Sequence, residues 1–297
     1  MNNNKILSKI KNEIIRLYVR RFSSYGINDS IYNAIYNLKT YRLVKRKYAS
    51  YIENYKKTTK KKEQSNKVWW CWLQGEENAP ELCKANLNSL RENLKDRNII
   101  VITEDNWSDY IELPDYIVAK YKQGIITRTH FSDILRAQLL VTHGGTWIDS
   151  SVLCTGYDKK FFDRPLFVFN NFLKEDKSMV CSSWFITSES NNQILTLTRD
   201  LLFEYWKKKK TLINYYLFHI FFTIATEKYN KEWKDVHRFS NVPPHILQFE
   251  IIDSYNDERW KEICEMSSIH KLTQKADFSK KSDNSFYDFI IDKYTKR

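Results

Sequence analysis

The spacing of apolar and polar positions divides the chain into two parts. In the first part, apolar residues recur at roughly helical spacing among lysines, arginines and tyrosines. These positions include Ile6, Ile10, Ile14, Ile15, Leu17 and Tyr18. A charge run from Lys57 to Lys62 closes the pattern, and a different one begins after Ser65. We therefore predict a basic helical N-terminal segment over residues 1–64 and a second domain over residues 65–297.

The second part begins with two short apolar runs that are typical of buried strands. VWWCWLQG (68–75) and NIIVITEDN (98–106) each end in a polar or glycine-containing loop. Residues 81–93, which lie between them, have leucines at helical spacing. Strand, helix and strand in this order imply a right-handed crossover and a parallel sheet, whose ligands bind beyond the carboxyl ends of the strands. The loop after Trp72 is therefore a candidate site.

Later segments continue this alternation of strands and helices. HFSDILRAQLLVTHGG (130–145) predicts a helix ended by two glycines, and TWID (146–149) predicts a short strand that delivers Asp149 to its end. We expect further strands at 166–170 and 179–187, further helices at 192–208, 211–228 and 258–266, a loop at 241–248 and a C-terminal helix. The predicted class is α/β, with a mostly parallel sheet flanked by helices.

Composition excludes several classes of protein. The 297 residues are 42% hydrophobic, and with only six glycines and five prolines the chain is neither collagen-like nor rich in linkers. Five cysteines, without a C-x-x-C pair, indicate neither a disulfide framework nor a zinc site, and a reducing cytosol fits best. The sequence has no signal-peptide core and no apolar run long enough to span a bilayer, so we expect a soluble or surface-bound protein.

The charge balance favours an anionic partner. The formal net charge of +12 suits nucleic acid, acidic lipid or a phosphorylated small molecule, although it can also serve solubility alone. The basic N-terminal segment can lie on an anionic membrane, or it can form a helical collar packed on the main domain. The sequence leaves both interpretations open.

Five motifs occur in a recognisable order. They are W-x-W-L-Q-G (70–75), S-D-x-x-R (132–136), G-G-x-W-x-D (144–149), N-V-P-P-H-x-L-Q (241–248) and I-H-K-L-T (269–273). Together they resemble the sugar-binding DxD region of glycosyltransferase family 32, and more closely its relatives among capsular polysaccharide synthesis proteins; the region is also similar to the glucosyltransferase domain of large clostridial toxins. The resemblance covers about residues 67–275 and implies a GT-A type fold.

The resemblance also implies a function. It predicts a retaining enzyme that transfers a hexose from a nucleotide-sugar, expected to be a UDP-sugar, to a growing, lipid-linked repeat unit of a bacterial capsule or exopolysaccharide. Such an enzyme would work in the cytoplasm, peripherally at the inner face of the cell membrane. A degenerate donor-binding protein without turnover is the first alternative, and a nucleic-acid-binding protein is the second.

The motifs place the donor on a defined set of residues. The candidates are Trp72, Leu73, Gln74, Ser132, Asp133, Arg136, Asp149, Ser150, Ser151 and Lys271. Trp72 is expected to stack on the base, whereas Trp69 and Trp70 are expected in the core. Asp133, Arg136 and Asp149 are also the catalytic candidates, because carboxylate and guanidinium groups suit sugar hydroxyls and phosphate oxygens.

The metal motif departs from the family pattern. The position of the second carboxylate in D-x-D is occupied by Ser151, a neutral and weaker ligand. With Asp149 and His270 as the other candidate ligands, we expect Mn²⁺ or Mg²⁺ to be held weakly and chiefly by the donor diphosphate. Lys271 could add fixed positive charge beside the leaving group.

The acceptor side is less clearly marked. Its candidates are His219, Asn241, His245 and Gln248, since aromatic, amide and imidazole groups are common in sugar sites. His219 is as well explained as a core histidine on an apolar helix. No catalytic base is evident, which agrees with a front-face mechanism in which the leaving phosphate takes the acceptor proton.

Overall fold

The computed structural model describes residues 29–171 and 177–295. The helices are α1 (Asp29–Lys47), α2 (Ala49–Glu53), α3 (Glu81–Asn93), α4 (Trp107–Tyr110), α5 (Asp115–Lys122), α6 (Arg128–His143), α7 (Lys159–Phe162), α8 (Gln193–Lys208), α9 (Leu217–Lys228), α10 (Asn230–Lys234), α11 (Val242–Glu250), α12 (Asp257–Met266) and α13 (Phe286–Thr295). The strands are β1 (Lys67–Cys71), β2 (Asn98–Ile102), β3 (Gly145–Ile148), β4 (Val152–Cys154), β5 (Leu166–Asn170), β6 (Cys181–Ser188), β7 (Phe239–Ser240) and β8 (Ile269–Lys271). The predicted amphipathic stretch from Ile6 to Tyr18 lies outside the described residues.

A six-stranded sheet with the order β2-β1-β3-β6-β5-β7 forms the centre of the fold. The β1–β2, β1–β3 and β5–β7 pairings are parallel, and β6 runs antiparallel to both of its neighbours. A second sheet pairs β4 with β8 in antiparallel fashion. The prediction of an α/β fold with a mostly parallel sheet flanked by helices is confirmed.

The central sheet is buried on both faces, which explains why its strands read as continuous apolar runs. In β1, Trp69 packs into one core cluster while Val68 and Trp70 pack into another on the opposite face. The first cluster includes residues of α6, α8 and α9, and the second includes residues of α3. Trp69 and Trp70 are both fully buried, as predicted.

Helix α1 packs on the main domain rather than standing apart from it. Val44 and Tyr48 are buried in the same cluster as Trp69. The buried amide of Asn214, just before α9, donates to Asn37 Oδ1 at 3.0 Å and to Thr40 Oγ1 at 3.2 Å. The part of the basic segment that the structure describes thus adopts the collar arrangement. The boundary at residue 64 stays a prediction.

Residues 241–248 correct one secondary-structure prediction. The segment NVPPHILQ was expected to be a loop, but residues 242–250 form helix α11. Pro243 and Pro244 occupy its first turn, where a missing N–H costs no hydrogen bond and the fixed φ angle of proline suits a helix.

Within the described residues, no helix combines the length and the apolar character needed to cross a bilayer.

Candidate active site

Two glycines deliver Asp149 to the carboxyl edge of the sheet. Gly144 ends α6 with φ of 65°, and Gly145 begins β3 with φ of 92°. A Cβ atom on Gly145 would lie 2.4 Å from the carbonyl oxygen of Lys67, so only glycine lets β3 pass this close to β1. Register with β1 and β6 then places Asp149 directly beyond the end of the strand, with its N–H donating to the Trp184 carbonyl at 2.9 Å.

Arg136 joins the two candidate carboxylates. Its Nη1 donates to Asp133 Oδ1 at 2.6 Å, and its Nη2 donates to Asp149 Oδ1 at 2.9 Å. The guanidinium carbon lies 4.8 Å from the Trp147 ring centre and 5.3 Å from that of Phe218, so the cation is held between aromatic faces. The spacing of Asp133 and Arg136 on one helix thus allows an ion pair, and Arg136 also binds Asp149 at the end of the next strand.

The Asp149 carboxylate is fixed through one oxygen only. Trp147 Nε1 donates to Oδ1 at 2.8 Å, and Arg136 binds the same atom. No hydrogen bond from residues 29–171 or 177–295 uses Oδ2, and the side chain is 28% exposed. The carboxylate is therefore oriented in advance, with one oxygen available to a ligand.

Asp133 is ionised in spite of its burial. Desolvation raises the pKa of its carboxyl group, but the charge of Arg136 and the contact with His130 outweigh this effect and hold the pKa below its usual value. His130 Nδ1 lies 3.4 Å from Asp133 Oδ2, and its ring packs on Trp206. An aspartate in this state accepts hydrogen bonds from sugar or ribose hydroxyls.

A cavity of about 310 Å³ opens on these groups. It brings together nine of the predicted residues: Trp72, Leu73, Gln74, Ser132, Asp133, Arg136, Asp149, Ser150 and His219. Cavity residues that sequence reasoning missed are Cys71, Arg128, Thr129, Trp147, Ser183 and Tyr215. Trp147 lies in the predicted strand 146–149 and Tyr215 in the predicted helix 211–228, but nothing in the pattern separated them from core aromatics.

A second cavity adjoins the first. It measures about 810 Å³ and shares Leu73, Gln74 and Arg128 with the smaller one. Glu104 and Asp105, which follow β2, also line it. The two cavities together follow the carboxyl ends of β1, β2 and β3, the edge where the sequence placed the site.

Buried polar atoms around the smaller cavity have no partner among the described residues. They are Trp72 Nε1, Arg136 Nε and His219 Nδ1. Unpaired buried atoms also occur in the core, for example at Trp70 Nε1 and Trp206 Nε1, so the three atoms named above matter because their residues line the cavity. Burial lowers the pKa of His219 to about 4, with Asp133 opposing the effect, so its imidazole is neutral at pH 7.

Lys271 and Ser151 contact each other beside Asp149. The ammonium of Lys271, on β8, donates to Ser151 Oγ, and it lies 3.4 Å from the Leu272 carbonyl oxygen. Burial lowers the pKa of Lys271, whereas the negative charge of Asp149 raises it. The hydroxyl that takes the place of the second motif carboxylate is therefore already bound to a cation.

His270 is not brought to Asp149, which corrects its prediction as a metal ligand. Neighbours on a strand face opposite sides, so His270 and Lys271 diverge. The His270 ring is fully buried, hydrogen-bonds Thr155 Oγ1 through Nε2 at 3.0 Å and lies 6.4 Å from the Trp260 ring. Desolvation lowers its pKa to about 3, so it is a neutral core histidine.

The predicted acceptor residues fall into two places. His219 lines the smaller cavity, whereas Asn241, His245 and Gln248 lie at the start of α11 or within it. His245 packs edge-on against Trp184 at 5.6 Å, and the buried Asn241 donates to Ser182 Oγ at 3.1 Å. Helix α11 thus borders the site across β6 without lining the cavity.

The residues present do not fit a divalent cation held by the protein. Such a site needs several oxygen or nitrogen ligands around one point. Here Asp149 offers one unused oxygen, Ser151 binds an ammonium and His270 faces away. Across residues 29–171 and 177–295, no group of three or more His, Cys, Asp or Glu side chains is arranged to hold a metal ion.

The comparisons with known proteins identify the family. The model of the capsular polysaccharide synthesis protein family matches residues 26–290, and the chain belongs to that family. Among solved structures, it is similar to the PaToxG glycosyltransferase, with 17% identity and a TM-score of 0.39 over 69% of this chain and 85% of that one. No curated protein matches the chain.

Proposed function

We propose that the protein is a retaining glycosyltransferase of GT-A type. It transfers a hexose from a UDP-sugar to a growing, lipid-linked repeat unit of a bacterial capsule or exopolysaccharide. The main support for the proposal is the position of Asp149. Arg136 and Trp147 fix its carboxylate at the carboxyl end of β3, beside a cavity. Membership of the capsular polysaccharide synthesis family supports the class of acceptor.

The donor takes the two adjoining cavities. Trp72 is the stacking partner proposed for the base, since it is half-buried at the wall and its indole N–H has no partner in the described residues. Asp133 and Asp149 accept from hydroxyls of the ribose and the sugar. Arg128, at the exposed start of α6, adds positive charge where the cavities meet.

The proposed transfer reaction needs no catalytic base from the protein. The bond from sugar C1 to the β-phosphate oxygen breaks, and its electron pair stays with the phosphate. The acceptor hydroxyl oxygen bonds to C1 on the same face, and its proton passes to the leaving phosphate oxygen. UDP and the new glycoside result, and Arg136 with Asp149 orients the sugar during the step.

The acceptor approaches between His219 and α11. The His219 imidazole is neutral, and its Nδ1 has no partner in the described residues beside the cavity. His245 and Gln248 extend the surface beyond Trp184, where further sugar units of the acceptor would lie.

The exposed face of α1 supports docking on the cytoplasmic face of an anionic membrane. Lys39, Arg42 and Arg46 project along one stripe with Ile35 and Leu43, which are 64% and 42% exposed. A cationic face that also exposes apolar side chains suits a lipid surface. In sedimentation with phosphatidylglycerol vesicles, Glu at all three basic positions should reduce binding. A control variant carries Glu at Lys95, Lys231 and Lys261, which are exposed outside this face, and it should bind the vesicles like wild type.

The test of the proposed activity is UDP release from a panel of UDP-hexoses. We expect slow hydrolysis of at least one donor without an acceptor, and loss of that hydrolysis in Asp149→Asn. UDP binding without release from any donor would instead support the degenerate, donor-binding alternative. No binding of any nucleotide would contradict the proposal.

A further inference from the structure

Lys271 places a partly buried positive charge beside Ser151, at the position where the family motif has a metal-binding carboxylate. Its ammonium contacts in the described residues are the Ser151 hydroxyl and the Leu272 carbonyl oxygen, neither of which carries charge. In the described residues no carboxylate forms an ion pair with this ammonium, and Asp149 acts on it only from a greater distance. Because a partly buried ammonium without a direct ion pair is incompletely compensated, it favours an anion that arrives with a ligand.

The surroundings explain why this charge is held in place. Strand β8 pairs with β4 so that Lys271 lies opposite Val152, one residue after Ser151. The Leu272 N–H donates to the Ser151 carbonyl at 2.8 Å, which fixes the two backbones beside each other. The ammonium is thus positioned by a sheet rather than by a mobile loop.

The two carboxylates of the site are both paired with Arg136 rather than with Lys271. Asp149 Oδ1 is bound by Arg136 and Trp147, and Asp133 is paired with Arg136. A divalent cation at this point would lie against the Lys271 ammonium, and like charges at short range repel. The cation and the ammonium therefore compete for one place.

We infer that Lys271, seated on Ser151, neutralises the diphosphate of the donor and of the leaving UDP, so that transfer by this protein requires no divalent metal. The inference rests on the proposed function. Ser151 in place of a carboxylate then has a purpose, because a neutral hydroxyl orients the ammonium without cancelling its charge. Lys271 takes no part in proton transfer in this scheme, and the acceptor proton still passes to the phosphate oxygen.

The test compares UDP with uridine, each titrated by calorimetry in EDTA and in MnCl₂. Wild type should bind UDP in EDTA, with an affinity that Mn²⁺ changes less than threefold. Lys271→Met should weaken UDP binding on the order of tenfold or more and leave uridine binding unchanged, because the lost contact is to the diphosphate. Lys271→Arg should retain most of the affinity.

The matched control is Lys275→Met, which removes the same charge from an exposed position nearby. It should bind UDP like wild type. UDP binding that appears only with Mn²⁺, or equal weakening of UDP and uridine in Lys271→Met, would overturn the inference while leaving the UDP-sugar donor intact. Absence of UDP binding under every condition would overturn both the proposed donor and the inference built on it.

Discussion

Arg136 and Asp149 are joined by a hydrogen bond of 2.9 Å between a helix and the end of the following strand. The same guanidinium holds Asp133, so a single cation organises two carboxylates that stand sixteen positions apart in the chain. This arrangement makes the roles of the three side chains separable by substitution.

Asp149→Asn should abolish donor hydrolysis while the fold remains intact. The amide oxygen can still accept from Trp147 and Arg136, but the negative charge that faces the ligand is lost. UDP release should fall by on the order of 100-fold or more, while the melting temperature should stay within a few degrees of wild type. Normal turnover in this variant would remove Asp149 from the mechanism.

Arg136→Met should destabilise the protein by about 3 kcal/mol or more, because it leaves Asp133 as a buried carboxylate without its cation. Urea unfolding measures the loss. The double variant Asp133→Asn/Arg136→Met should recover part of the free energy of unfolding, since no charge is then left unpaired. If the double variant were less stable than Arg136→Met alone, the pairing would not be the cause.

Trp72→Ala should weaken UDP binding by roughly 1–3 kcal/mol, the usual contribution of an aromatic ring stacked on a base. Trp72→Phe should recover part of this affinity, because a smaller ring still stacks. Uridine should respond as UDP does, unlike its response to Lys271 variants. Calorimetric affinities that are equal in all three proteins would place Trp72 in the wall without a role in binding.

Gly145→Ala should destabilise the fold by about 3 kcal/mol, because the residue has a positive φ angle and its new Cβ would meet the Lys67 carbonyl. Gly124→Ala is the control, since Gly124 also has positive φ but no atom within 4 Å of a new Cβ. Only the conformational cost of about 1 kcal/mol should remain there. Equal losses on urea unfolding would show that the close approach of β3 to β1 is not limiting.

The pH dependence of stability should reveal His270. Its pKa is about 3 in the folded protein, against an ordinary value of 6.5. Between these two pH values the unfolded chain therefore binds a proton that the folded protein does not bind. The free energy of unfolding should therefore be unaffected above pH 6.5 and fall below it by about 1.4 kcal/mol per pH unit. His270→Asn should lack this component. Parallel curves for wild type and variant between pH 6.5 and 5 would contradict the assignment.

Much of the central sheet could be predicted because its strands are buried on both faces. Continuous apolar runs identified β1, β2 and β5, and helix α3 has the predicted bounds of 81–93. Helix α11 was missed because two consecutive prolines usually signal a loop. Prolines also occur in the first turn of a helix, and the sequence alone does not distinguish these two cases.

The site was predicted where the chain itself brings residues together. The S-D-x-x-R spacing and the G-G-x-W-x-D turn are local, so Arg136 and Asp149 follow from them. The direction in which the side chains of β8 point depends on residues far apart in the chain. It is the register between β4 and β8 that decides whether His270 or Lys271 points to Ser151. Tyr215 was missed because its exposure depends on how the segment before α9 packs on α1.

The tryptophans around Arg136 give the protein a built-in optical reporter. Trp72 and Trp147 both line the smaller cavity, and Trp147 lies 4.8 Å from the guanidinium carbon. An anion that enters the cavity changes the electric field at these indoles, so their emission shifts or is quenched when the cavity fills. Occupancy can thus be followed on the unlabelled protein as a change in tryptophan emission. Trp72→Phe, which keeps the hydrogen bond from Trp147 to Asp149, shows how much of that change comes from Trp72.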